Sequence, residues 1–387
     1  MFKSALAFIF IIISFTQNVL AEETPINDDM NSMAKNLEVL APYLFSEKKF
    51  SDEKNHQTIN TALSQVTAKL KNITRHSQIQ TQGRQLTIKE LQDQMVVALY
   101  HFTTQKKSLA RMEVTSLLNL CIHCHTQTAG STTSKLFDSI KIEKMGLNKF
   151  EQAEVYFLTR EYDKALSILK KLVITPSEDD LDTAFVREKS LNFLLTYYLR
   201  LESDLEGTDK LLKEIEEDKN AQKFIVAKIR EWRKELQTIK TLAIKLDSLK
   251  SDKEIEQFID QNLAKIEQDS TPSLFENNEI GALYFSGILN QYLEKSLGAK
   301  LQSKILYWLA IYDKRLNSQL FYSLGDAYLQ LCINKSPHSK IAESCYEIME
   351  EDAIFHYSGS MGTNLPENEK AQLAKWKTKS MRKKNKR

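Results

Sequence analysis

Apolar residues recur with helical spacing through the first third of the chain. Met30, Met33, Leu37, Leu40 and Leu44 are separated by three and four positions in alternation, and Ile59, Leu63, Val66, Leu70 and Ile73 by four and three. Ile88, Leu91, Met95, Ala98 and Phe102 repeat the pattern, and a fourth segment, 107–126, carries Leu109, Met112, Leu117, Leu120 and Cys124 less regularly. Each such stripe is one face of a helix that must be buried against a neighbour. Ser51, before Asp-Glu, is a residue type that caps helix N-termini, and Thr87-Ile-Lys-Glu90 has the spacing of a capping box. Connections are short except around residues 77–86. Four amphipathic helices joined this way hide their apolar faces most simply as an antiparallel bundle.

Past this region, residues 127–140 are polar and rich in small residues, as in "TAGSTTS", and read as a linker. Helical periodicity then resumes and persists to residue 374. Within 149–176, Ala153, Tyr156, Tyr162, Ala165, Leu169 and Pro176 fall near the positions of a tetratricopeptide (TPR) helix pair. Small alanines suit the crossing of two helices, and the aromatics fill the groove beside them. Residues 185–201 with 205–217, 278–293 with 299–312, and 320–357 are looser pairs, while 221–250 reads as one long, charged helix. The reading for 141–374 is a TPR-like α-solenoid of irregular repeats, and the fold class is all-α.

Composition agrees with that class. The 387 residues are 42% hydrophobic and 27% charged, with only 10 Gly and 6 Pro, fewer turn formers than a sheet protein needs. The net charge of +2 hides an asymmetry: residues 375–387 hold eight Lys or Arg and no acid, leaving −6 on the remaining 374 residues. The basic tail reads as a solvated end, or as an electrostatic foot for an anionic membrane surface or an acidic protein.

At the other end, Met1 to Ala21 combine one lysine, an apolar run from Ala5 to Phe15 and the small-residue ending Val19-Leu-Ala21. This is the pattern of a secretory signal peptide cleaved after Ala21, the apolar run being short of the ~20 residues of a spanning helix. A periplasmic location follows as an expectation, which makes nucleic acid an unsuitable partner. It also makes disulfides permissible.

The chain has four cysteines. Cys332 and Cys345 fall on what read as the facing helices of one hairpin, and a disulfide between them is expected. The other two belong to "NLCIHCHT", residues 119–126, where Cys121, Cys124 and His125 form Cys-X-X-Cys-His, the attachment signature of c-type haem. On a helix these positions are i, i+3 and i+4, one face, so two thioethers can hold a porphyrin edge while His125 serves as the proximal iron ligand. With four Cys and seven His in the chain, chance would produce the pattern about 0.0007 times. A structural zinc site would want a further ligand pair, and a thioredoxin-like dithiol a βαβ setting; neither is present in the sequence. His123, between the cysteines, reads as a polar filler.

A helical bundle of about a hundred residues ending in CXXCH resembles the cytochrome c-prime family, over residues 27–126, which places a haem domain at 22–126. The resemblance implies one covalently bound haem c, with the sixth side of the iron facing the first helix. There, Met30 matches the methionine ligand of the low-spin relatives, with Met33, one turn on, as the fallback. Bundle cytochromes of this type often pair, so a homodimer is a further expectation, opposed by the large following region.

Three functions suit these residues. The first is electron transfer, with a redox partner protein docked on the helical repeats. The second is binding or sensing of small gases at an open sixth site, and the third is a TPR-type interaction scaffold with a structural haem. His101, His338 and His356 lack a catalytic partner set, no serine has a GXSXG context and no phosphate loop is found, so no enzyme activity is expected.

Overall fold

The computed structural model describes residues 26–76, 82–126, 142, 145–174, 181–219, 221, 223–249, 251–263, 279–295, 297–316, 323–360 and 362–382. The signal peptide and linker expected from the sequence lie outside the described residues. The described chain is all-α apart from one small antiparallel hairpin, β1 (Ser358–Gly359) with β2 (Gly362–Thr363). Among the described residues no helix is long and apolar enough to cross a membrane.

The first five helices are α1 (Ile26–Leu44), the short α2 (Glu47–Ser51), α3 (His56–Ile73), α4 (Gln82–Thr103) and α5 (Lys107–His125). All five stripe residues of α3 and all five of α4 are buried, and on α1 Met33, Leu40 and Leu44 are buried while Met30 and Leu37 pack half-buried against the same core. Each fully buried Leu or Ile contributes ~1.5–3 kcal/mol over an exposed one. The stripe on α5 differs from the sequence reading. Leu117 and Leu120 are buried as expected, but Leu109 and Met112 are exposed, and Ala110, Val114 and Leu118 fill the inward face in their place.

Both predicted caps are also displaced. Ser51 ends α2 rather than starting a helix; Ser46 caps α2 through Lys49 N, and Asp52 accepts from Lys54 N ahead of α3. Because α4 starts at Gln82, Thr87 is interior, and its hydroxyl donates to Gly83 O at 3.0 Å. A threonine hydroxyl can bond the preceding turn of a helix as readily as it can cap one.

Helix α1 packs on α3, α3 on α4 and α4 on α5. Polar contacts fix the directions. Asp29, in the first turn of α1, accepts from Lys69 Nζ at 2.8 Å and lies 3.1 Å from Nε2 of His76, just past the end of α3. His56, opening α3, stacks on Phe102 near the end of α4, with ring centres 4.9 Å apart. Arg111, near the start of α5, donates to Leu44 O at the end of α1, 2.9 Å away. The helices therefore alternate in direction, and the end of α5 returns to the level where α1 begins.

The following helices are α6 (Lys149–Leu158), α7 (Tyr162–Ile174), α8 (Leu181–Leu195), α9 (Leu205–Glu217), α10 (Lys223–Asp247), α11 (Asp252–Phe258), α12 (Glu279–Leu293), α13 (Ala299–Leu316), α14 (Gly325–Lys335), α15 (Lys340–His356) and α16 (Glu367–Ser380). Chain neighbours pack in succession, α6 on α7, α7 on α8, α9 on α10, and then α12 through α16 in order. At the α6–α7 crossing Ala153 and Ala165 are fully buried beside Tyr156 and Tyr162; Pro176 lies outside the described residues. Asn148 and Glu151 form a reciprocal capping box that starts α6. Helix α8 runs into a π-helical turn, Thr196–Leu201, against which α12 packs so closely that a Cβ on Gly287 would stand 2.3 Å from Arg200 O.

Residues 375–380, read from the sequence as the start of a solvated tail, belong to α16 instead. Trp376 is buried there, on the side that packs against α15 and α14. One large aromatic at the right phase is enough to dock an otherwise cationic helix. Residues 383–387 lie outside the described residues.

Candidate functional site

Cys121, Cys124 and His125 close α5. The inward stripe Ala110, Val114, Leu117 continues by four and three to Cys121 and Cys124, so the thiols stand at the end of a buried seam. Cys121 packs against the core, and both cysteines are half-buried, unpaired thiols. Burial pushes the Cys121 thiol up to about 12, with a further rise from the neighbouring Cys124. Burial also pushes Cys124 up, against the opposing charges of Arg160 and Arg84. Thiols held protonated in this way are the opposite of a redox-active dithiol, whose attacking cysteine has a lowered pKa.

His125 is fixed from outside its own helix. Its Nδ1 lies 3.1 Å from the backbone oxygen of Leu158, the last residue of α6. Burial, with the Arg160 charge beside it, pushes the imidazole down to about 3, so the ring is neutral. A carbonyl oxygen only accepts, so the hydrogen bond assigns the ring proton to Nδ1. That leaves the Nε2 lone pair for a metal, the arrangement in which a second group orients a ligating histidine.

Met30 and Met33 lie in the first two turns of α1, at the end to which α5 returns; Met33 is buried and Met30 half-buried. The side chain of His123 lies outside the described residues. Cys332 on α14 and Cys345 on α15 are both buried and joined by a disulfide, with Cα atoms 6.6 Å apart. They are remote in sequence from the α5 cluster and belong to a separate hairpin. His101, His338 and His356 are engaged elsewhere: His101 Nδ1 with Glu113 at 2.8 Å, His338 Nδ1 with Met381 O and His356 Nδ1 with Asp352 O, both also at 2.8 Å.

Several neighbours of the site have no signature in the sequence. Leu158 contributes a backbone atom, and Arg160 sits in the turn between α6 and α7. Arg84, near the start of α4, pairs with Glu294 just beyond α12 at 2.7 Å, and both act on the charge of Cys124. The cysteine-bearing end of α5 is therefore bordered by residues of the later helices, which periodicity within 27–126 could not reveal.

Comparison of the chain with family models, with curated proteins and with solved structures found no match. Among the described residues, no three or more His, Cys, Asp or Glu side chains are grouped to hold a metal ion. A haem iron draws only one or two axial ligands from the protein, so its site is of a different kind. The donor set fits such a group: two thiols and an imidazole on one helical face, the imidazole in the ligating tautomer.

Proposed function

We propose that this protein is an exported c-type cytochrome whose residues 22–126 form a four-helix, cytochrome c-prime-like haem domain, followed by a TPR-like solenoid over 141–374. Cys121 and Cys124 hold one haem c through thioethers and His125 is its proximal ligand, with Met30 the distal ligand and Met33 its alternative. The observation that carries the reading is the Leu158 hydrogen bond, which commits Nδ1 of His125 and leaves Nε2 open beside two unpaired cysteines. When bound, the haem supplies one-electron redox chemistry. The chain's own part is to orient the imidazole, keep it neutral, and bury the cysteine edge in the apolar seam that runs from Ala110 to Leu117. Electron transfer to or from a protein docked on the repeats is the function proposed, in the periplasm.

Replacing Cys121 and Cys124 together by Ser is the direct test, using full-length chain produced alongside haem-attachment machinery. The natural chain is expected to carry a haem that survives denaturing electrophoresis, and the double variant none. A natural chain without protein-linked haem under those conditions overturns the proposal.

A further inference from the structure

Arg160 is the residue after Thr159, the C-cap of α6, and its backbone is left-handed, with φ of 62°. Arg160 N donates to Phe157 O at 3.1 Å and Glu161 N to Tyr156 O at 2.9 Å, the paired bonds of a Schellman turn. Glycine is the usual occupant of that position because an L side chain there costs ~1 kcal/mol. Gln105, Ser203 and His338 share the conformation, so the backbone alone does not single out Arg160. Two further features do. Its Nε is buried without a hydrogen-bond partner, and the residue stands two positions after Leu158, whose backbone oxygen lies 3.1 Å from Nδ1 of His125, so its positive charge is held on the turn that touches the site. Arg84 has Glu294 beside it, whereas the buried Nε of Arg160 has a donor left over.

We propose that Arg160 is a positioning residue of the haem site: the helices after the bundle deliver, on one turn, the carbonyl that orients His125 and a fixed positive charge that raises the reduction potential of the iron His125 ligates. The proposal rests on the haem reading above. Its physical basis is that the oxidised iron carries one more positive charge than the reduced iron, and a fixed cation in a partly buried setting disfavours the more positive state. It assigns the later helices a part in tuning the haem, beyond any docking role.

The test is a spectroelectrochemical titration of the full-length haem-loaded protein, comparing the natural chain with Arg160→Gly, Arg160→Gln and Arg160→Lys. Arg160→Gly suits the left-handed backbone better than the native residue, so it removes the charge without endangering the fold. Gly and Gln are expected to shift the equilibrium about tenfold toward the oxidised form, a fall of about 59 mV for a one-electron couple, and Lys to restore most of it. An unchanged potential in Gly and Gln, with haem content intact, overturns this inference alone. Absence of covalent haem in the natural chain overturns the haem reading and this inference with it.

Discussion

At His125 two demands are met by different parts of the chain. Helix α5 sets the position of the imidazole relative to Cys121 and Cys124, while Leu158 O selects which nitrogen keeps the proton. The CXXCH pattern was readable from the sequence because all its members lie within five residues. The carbonyl that completes it was not, since a backbone oxygen 33 residues away leaves no compositional trace. Met30 is a ligand candidate through the resemblance to the low-spin bundle cytochromes, and its half-buried side chain packs against the bundle core as a seam residue does. Replacing Met30 by Ala is expected to convert a six-coordinate, low-spin haem spectrum into a high-spin one. Met33→Ala should leave the spectrum low-spin but destabilise the fold by ~2–4 kcal/mol, because Met33 is 6% exposed. A low-spin spectrum in both single variants and in the double variant contradicts methionine ligation.

At the scale of elements, period mattered more than individual end signals. The stripes of α3 and α4 are buried as the spacing required, because five residues in regular phase leave a helix one way to turn. On α5 the large apolar residues Leu109 and Met112 drew attention from the inward face, which uses the smaller Ala110 and Val114. Side-chain size is a poor guide where helices approach closely. The caps at Ser51 and Thr87 failed because local chemistry is compatible with several positions in a turn, and tertiary packing chooses between them. The long-range ties are the least legible, and Asp29 is the clearest case. It is 1% exposed and joins the start of α1 to Lys69 and His76. Burial alone would raise its carboxyl, but the hydrogen bonds from Lys69 and His76 outweigh it and hold the pKa below the ordinary 3.8. Asp29→Ala is expected to cost ~2–3 kcal/mol at neutral pH. A depressed folded pKa stabilises above the unfolded value, and that contribution is lost as pH falls through the folded one. Denaturant curves of the natural chain and the variant should therefore converge as pH drops below 3.8. A difference that stays constant down to about pH 2 would contradict the assignment.

At the scale of the molecule, all-α character was plain from composition and period, and the described helices from 149 onward fall largely within the expected segments. What the sequence did not convey is that the two sets of helices meet at the cysteine cluster, through α5 with α6 and through Arg84 with Glu294. Nor did it convey that the basic run at 375–380 is helical and anchored by Trp376. Those contacts join residues far apart in the chain, and no local pattern encodes them. They place the later helices against the residues proposed to hold the haem, and everything proposed for them depends on that haem being bound. The most direct test is an absorption spectrum of the full-length mature protein, made with haem-attachment machinery and recorded oxidised and reduced before and after unfolding. Sharp α and β bands on reduction, from a chromophore that stays with the unfolded chain, are the result predicted. A protein without a haem spectrum, or one whose haem separates on unfolding, would contradict the reading of Cys121, Cys124 and His125.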